Sequence, residues 1–288
     1  MIPNNFEYVR ATSIQEAINQ LAQGGQGARL LAGGHSLIPA MKLRLNSPQT
    51  LIDISGIKEL HEIKKNGDQL AIGALATHHS VATSDLVKQN CPALAEGAAL
   101  IGDPQVRNHG TIGGSLAHCD PAADYPAMVL ALDARIEVAG SAGSSTIAAD
   151  DFFVGMFETA LKPGEVITRI TVPVTSKGSG AAYEKFPHPA ARFAIVGVAA
   201  NVSVDGQGNC TSARIGVTGA ASFAFRAKKA EQALVGKPLN AQTIHDATRD
   251  IADPADLMGD MFASAEYRAH LCSVLAEKAL TRAAERAQ

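Results

Sequence analysis

The sequence predicts a mixed α and β fold in two parts, and three observations predict it. Helix and strand patterns alternate over residues 13–54, with a glycine pair between a strand and the helix after it. A small polar run, Thr175-Ser176-Lys177-Gly178-Ser179-Gly180, then breaks the apolar patterning and reads as a linker, with a boundary near Ser176. Beyond it, two strand patterns in hairpin arrangement give way to three helical ones.

The elements follow in order. Ser13-Ile14-Gln15-Glu16 is a capping-box pattern, and Ile14, Ala17, Ile18 and Leu21 recur at the period of one buried helical face. Gly24-Gly25 stops that helix. Arg29–Ala32 reads as a short strand running into Gly33-Gly34, and Thr50–Ile54 alternates as another. Gln69–Leu75 reads as a strand and Pro92–Leu100 as a helix. Between Gly102 and Asp124 no period is visible, and the stretch reads as one long loop. Val166–Val172 is β-branched except at Arg169, a strand with Val166, Thr168, Ile170 and Val172 facing inward. Phe193–Val204 and Cys210–Val217, joined through Asp205-Gly206, read as an antiparallel hairpin with a tight turn. Helices follow over Ala227–Leu234, Ala241–Ile251 and from Ala265 to the end, the last with Tyr267, Leu271, Val274 and Leu275 as its apolar stripe.

Composition narrows the function classes. Hydrophobic residues make up 46% of 288 and charged residues 18%, enough apolar side chain for a sizeable core. No apolar run is long enough for a membrane span, and the N-terminus shows no signal-peptide pattern, so a cytoplasmic location is expected. The net charge of −3, with no basic stripe and no Trp, argues against nucleic-acid binding. Cys91, Cys119, Cys210 and Cys272 stand far apart without a CxxC, so neither a disulfide framework nor a metal site held by this chain is expected.

Two glycine-centred stretches carry the chemistry: Leu30-Leu31-Ala32-Gly33-Gly34-His35-Ser36-Leu37 and Gly110-Thr111-Ile112-Gly113-Gly114-Ser115-Leu116. Glycine lets successive N–H groups turn into one concave site and lets a diphosphate approach where a Cβ would obstruct it. Ser36, Thr111 and Ser115 add hydroxyls beside each. A single Gly-Gly pair is usually just a turn; two pairs, each beside hydroxyl residues and each opening an apolar run, favour a bound anion. Neither is a GxGxxG, and no GxxxxGK[ST] is present, which argues against a Rossmann dinucleotide site and an NTPase.

The segments LLAGGHSLIPAMKLR (30–44), IGDPQVRNHGTIGGSLAH (101–118) and DPAADYP (120–126) resemble the FAD-binding segments of the flavoprotein subunits of molybdenum hydroxylases, the xanthine dehydrogenase and carbon monoxide dehydrogenase type enzymes. Among these, the medium subunits of aerobic CO dehydrogenases are nearest in length and motif order. The resemblance implies an α+β fold of the vanillyl-alcohol-oxidase/CO dehydrogenase flavoprotein type. Residues 1–176 would form a two-part FAD-binding domain, its α/β subdomains meeting near residue 55. Residues 177–288 would form a smaller domain with a short antiparallel sheet and helices.

It also implies site residues. Leu30, Leu31, Ala32, Gly33, Gly34, His35, Ser36 and Leu37 would line one pyrophosphate loop, and Thr111, Gly113, Gly114 and Ser115, with Ala117 and His118, the second. Ile101 and Gly102 would lie near the isoalloxazine ring, Asp124 would hydrogen-bond the flavin's sugar portion, Lys185 would lie close to the ring, and Phe193 would stack over its other face. No catalytic residue is expected on this chain. The molybdenum cofactor and two [2Fe–2S] clusters would sit on a large and a small partner subunit, in a dimer of three-subunit units, with electrons passing through FAD to an external acceptor.

Two departures qualify the match. Ser115 stands where many relatives have Asn. Phe186-Pro187-His188-Pro189-Ala190-Ala191-Arg192-Phe193 replaces the basic stretch and Gly-Asp pair that precede an aromatic, often Tyr, in CO dehydrogenase subunits, which implies a complex of other specificity. The alternatives are a free-standing FAD oxidase or dehydrogenase of the vanillyl-alcohol-oxidase type and a non-catalytic nucleotide-binding protein.

The remaining polar residues have plain readings. His78-His79 reads as surface residues near a helix start, His35 as a backbone-orienting residue, and Cys119 as buried filler. Arg107 reads equally as an anion ligand or a surface charge.

Overall fold

A computed structural model describes all 288 residues. The chain opens with a three-stranded parallel sheet in which Thr50–Asp53 lies between Glu7–Arg10 and Ala28–Leu31. The helix Ile14–Gly24 packs on it through Ala17, while Ile18 packs against Ala139 and Val166 of a second sheet; the Ser13 hydroxyl accepts from the Glu16 N–H, and Glu16 turns back to the Thr12 N–H. Ala28–Leu31 ends at the glycine pair, and the short helix Leu37–Lys42 follows.

The second sheet is antiparallel, in the order Ile63–Asn66, Gln69–Gly73, Val166–Pro173, Arg135–Gly140, Gly143–Ala148. Its central strand Val166–Pro173 joins strands from distant parts of the chain. Ile170 and Val172 are buried and Arg169 is exposed, as the alternation predicts, but a bulge between Ile167 and Arg169 also buries Ile167 and leaves Thr168 only half-buried.

The expected long loop between Gly102 and Asp124 is instead two short helices, Pro104–His109 and Ile112–His118, followed by Asp124–Ala131. Asp103 caps the first through the Val106 N–H with Pro104 at its first position, and Thr111 caps the second through the Gly114 N–H. All eight residues of Asp124–Ala131 are buried, so its sequence has no polar face and shows no period.

The C-terminal part is a four-stranded antiparallel sheet in the order Ser179–Pro187, Ala194–Val204, Cys210–Thr218, Phe225–Arg226, covered by the helix Ala265–Ala287. The turn at Asp205–Asn209 is longer than the expected two residues; the Asp205 carboxylate accepts from the Gln207 and Asn209 N–H groups. The expected linker ends early, because Ser179 and Gly180 already belong to the first strand; a Cβ on Gly180 would meet the Ala283 carbonyl at 2.1 Å, so helix and strand touch backbone to backbone there. The buried stripe of the last helix also differs. It runs through Arg268, Leu271, Cys272, Leu275, Ala276, Ala279, Leu280, Ala283, Ala284 and Ala287, while Tyr267 is exposed and Val274 half-buried. Alanine lets this helix lie close to the sheet, and alanine is what a search for large apolar residues overlooks. No helix is long and apolar enough to cross a membrane.

Candidate functional site

The two glycine stretches lie against each other. A Cβ on Gly33 would sit 1.9 Å from the His109 carbonyl oxygen, so the first turn can pass the second only because Gly33 has none. The His35 and His109 rings stack at 5.2 Å with planes 13° apart. The segment Ala74–His78 fixes the second stretch from below: Ile112 N–H donates to Ala76, Gly113 N–H to Ala74, and His78 N–H to Gly110.

The two stretches differ in what they offer. In the first, the backbone N–H groups of Ala32, Gly33, Gly34, His35 and Ser36 have no acceptor within the chain, and Gly34 takes the left-handed conformation, φ +73°, that re-aims the turn. Five consecutive unpaired donors at the end of a strand form a ready cradle for an anion. In the second, the donors are spent: Ile112 and Gly113 bond the Ala74–Ala76 backbone, Gly114 bonds the Thr111 hydroxyl, and Ser115 bonds the Thr111 carbonyl. This corrects the expectation of two equal N–H cradles. Gly113 is small because its Cβ would meet Ala74 at 2.6 Å, a packing reason, and Thr111 accepts as a helix cap. Only Gly114 leaves a Cβ with little beyond its own cap: Thr111 Oγ1 at 2.7 Å and the Ala32 Cβ at 4.0 Å. The second stretch therefore contributes the Thr111 and Ser115 hydroxyls and a close-lying wall.

Asp124 and Lys185 meet as a buried pair. Lys185 Nζ lies 2.9 Å from Asp124 Oδ1 and donates also to the Leu100 carbonyl at 3.1 Å, beside Ile101 and Gly102; Tyr183 Oη donates to Asp124 at 2.6 Å. Burial pushes the Asp124 carboxyl upward, opposed by the Lys185 charge and by the bonds from Lys185 and Tyr183. Burial, the Asp124 charge and the bond to Asp124 hold the Tyr183 hydroxyl well above its usual range. A sugar hydroxyl at Asp124 would have to share a carboxylate that already has these two partners. The pair is positioned by the C-terminal sheet, where Thr218 Oγ1 donates to the Ala123 carbonyl at 2.7 Å.

The other expected residues spread around this centre. Leu30, Leu31 and Leu37 flank the first turn and are all half-buried. His118 is exposed, its ring 5.2 Å from Phe157, and Ala117 is exposed beside it. Phe193, 46% exposed, ends the turn His188–Phe193, where its carbonyl accepts from the His188 N–H. Arg107 donates to the Ile101 and Gly102 carbonyls and holds that turn rather than standing free. Cys119 is buried, its thiol pushed up to about 11 by burial and donating to the Glu158 carbonyl, consistent with filler.

His78 departs from the surface reading given to His78-His79. It is 5% exposed beneath Gly110, its Nδ1 has no partner, and its ring lies 5.3 Å from Tyr125, whose buried hydroxyl is also unpaired. Burial pulls His78 down to about 4. Neither this residue nor His109 and Tyr183 carries a sequence signal beyond its type.

With this geometry in view, comparison with known proteins decides the family. The family model for the FAD binding domain in molybdopterin dehydrogenase matches residues 4–175. The chain belongs to this family of FAD-binding subunits. The model for the CO dehydrogenase flavoprotein C-terminal domain matches residues 181–283. Over 288 residues the chain is 40% identical to the 6-hydroxypseudooxynicotine dehydrogenase complex subunit alpha of Paenarthrobacter nicotinovorans, covering 100% of this chain and 97% of that one. It is 41% identical to the carbon monoxide dehydrogenase medium chain of Hydrogenophaga pseudoflava, covering 98% of each. The solved Hydrogenophaga pseudoflava carbon monoxide dehydrogenase lacking the Mo-pyranopterin moiety of its molybdenum cofactor superposes with a TM-score of 0.94 at 40% identity, covering 99% of each chain. The chain is thus a medium, FAD-binding subunit of the molybdenum hydroxylase type and part of an oxidoreductase, with the α+β fold of that family. The donors present fit FAD: the Ala32–Ser36 turn offers unpaired N–H groups to a diphosphate, and the Leu100–Gly102 turn, with Lys185 behind it, offers a polar edge for a ring.

Proposed function

We propose that this chain holds FAD between its two glycine stretches and relays electrons through it. They would come from two [2Fe–2S] clusters on a small partner subunit, fed by a molybdenum cofactor on a large one, and would leave to an external acceptor. The observation that carries this reading is the run of five unpaired N–H groups at Ala32–Ser36. Bonds from such donors to a charged acceptor contribute about 1.5–3 kcal/mol each, so several hold a dianion without any Lys or Arg.

FAD, when bound, accepts electrons singly or in pairs and passes them on. The chain's own residues do the rest. Ala32, Gly33, Gly34, His35 and Ser36 bind the diphosphate, and Leu30, Leu31 and Leu37 hold that turn in place. Thr111, Gly113, Gly114, Ser115, Ala117 and His118 wall the other side. Ile101 and Gly102 border the ring, and Lys185, oriented by Asp124, sets the electrostatics at its edge. Phe193 covers a ring face, and its missing phenol hydroxyl leaves that face without a hydrogen bond.

The same reading divides the chain into an FAD-binding domain, 1–176, in two parts meeting near residue 55, and a C-terminal domain, 177–288. Family models ending at 175 and beginning at 181 support it. It places the complex in the cytoplasm as a dimer of three-subunit units.

The test is turnover. The chain expressed alone is expected to retain FAD and to oxidise no organic substrate, and Phe193→Ala to change the flavin spectrum without lowering the melting temperature. Substrate oxidation by the isolated chain at the rate of a complex would instead make it a free-standing flavoenzyme.

A further inference from the structure

We propose that His188 is the positioning residue for Phe193, braced by Phe262, so that the turn His188–Phe193 stands as a fixed cover at the flavin ring. The inference rests on the reading of Phe193 as the cover of a ring face. This turn joins the strand that carries Lys185 to the strand Ala194–Val204. Just past Phe193, the Ala194 N–H donates at 3.1 Å to the carbonyl of Ala122, two residues before Asp124. The turn is thereby tied to both segments that meet at the Asp124–Lys185 pair.

His188 organises the turn through its backbone and its ring. Its N–H donates to the Phe193 carbonyl at 2.8 Å, and its carbonyl accepts from the Arg192 N–H at 2.9 Å. Its Nδ1 accepts from the Ala190 and Ala191 N–H groups at 3.2 and 3.1 Å. Pro189 disfavours the helical conformation at His188 and so keeps the turn from winding into a helix. Arg192 takes the left-handed conformation, φ +59°, which a residue with a Cβ keeps only where its surroundings hold it there. The bonds to His188 do so. Phe193 has no hydroxyl to fix its own pose, so the pose has to come from this turn.

Phe262 braces the His188 ring, their centroids 4.4 Å apart and their planes at 87°, edge to face. Phe262 is itself 56% exposed, so burial does not place it. Its backbone does: Asp260 Oδ1 accepts from the Phe262 and Ala263 N–H groups at 2.8 and 2.9 Å, and Asp260 Oδ2 accepts from Arg268 at 2.6 Å. Arg268 is buried and donates also to the carbonyl of Ile195, two residues past Phe193. The line Arg268–Asp260–Phe262–His188 therefore begins on the strand that follows Phe193 and ends in the turn that presents it.

Fluorescence of the full chain tests this. The chain has no Trp, so Phe193→Trp supplies a single indole, and an indole stacked on isoalloxazine quenches flavin emission. In the FAD-loaded chain Phe193→Trp is expected to lower flavin emission below that of the wild type. Adding His188→Ala or Phe262→Ala to it is expected to lose most of that quenching, to lower the anisotropy of the indole in the flavin-free chain, and to keep the melting temperature. Adding His188→Asn instead is expected to restore both signals, because an Asn side-chain oxygen accepts from N–H groups just ahead of it in the chain, as Nδ1 does. Quenching and anisotropy unchanged by His188→Ala overturn the positioning role and leave the cover standing. His188→Asn behaving as His188→Ala overturns the part given to Nδ1. Phe193→Trp without any quenching in a chain that holds FAD overturns the cover, and this inference with it. A chain that holds no FAD overturns the proposed function itself.

Discussion

At the scale of single residues, glycine in this protein is mostly a packing residue. Gly33 and Gly113 look like places where a ligand approaches, and nothing in the sequence separates them from Gly34 and Gly114. The structure does: a Cβ at Gly33 runs into the His109 carbonyl and one at Gly113 into Ala74. Gly33→Ala should therefore destabilise the flavin-free chain by about 1–3 kcal/mol or more, by overpacking. Gly114→Ala should cost less, because its Cβ meets chiefly the Thr111 hydroxyl. Thermal unfolding without FAD checks this; equal melting temperatures for the two variants would remove the distinction. His78 supplies a pH dependence with a definite sign. Its pKa falls from 6.5 unfolded to about 4 folded, so between those values the unfolded chain binds a proton that the folded chain refuses. Stability should fall as pH drops from about 6.5 to about 4, by on the order of 3 kcal/mol from this group. The urea midpoint followed against pH should show that slope in the wild-type chain and a shallower one in His78→Leu; parallel slopes would contradict the assignment.

At the scale of elements, legibility follows periodicity. The helix at Ile14 and the strand at Val166 were readable because one face is buried and the other wet. Asp124–Ala131 was not, since burial on all sides erases the period, and the two short helices before it are signalled only by their caps, Asp103 and Thr111. The strand Ser179–Pro187 was missed because its start looks like a linker, the glycine being there for the approach of the last helix. The candidate residues could be named one by one from the sequence, but the pairing of Asp124 with Lys185 across 61 positions could come only from the fold. Asp124→Asn leaves the Lys185 ammonium buried without its counter-charge, and a loss of about 3–5 kcal/mol is expected. Asp124→Asn with Lys185→Met should recover much of it. Denaturant unfolding of the wild-type chain and the two variants reads this directly, and a double variant no better than the single one would show that the pair is not the unit of stability.

At the scale of the whole molecule, two sets of ion pairs join the two parts. Arg214 and Arg226 of the C-terminal sheet reach Asp150, and Arg282 and Arg286 of the last helix reach Glu96. The C-terminal part thereby sets Lys185 against Asp124 and carries Phe193, while the N-terminal part supplies the glycine stretches. The division of labour proposed for the complex asks for no acid, base or nucleophile toward an organic substrate on this chain. Purification of the chain from its native cell, with an absorption spectrum and metal analysis of the material that comes with it, tests that claim most directly. The account predicts flavin bands together with iron and molybdenum, and one larger and one smaller partner chain. A yellow protein that purifies alone and without metals would contradict it.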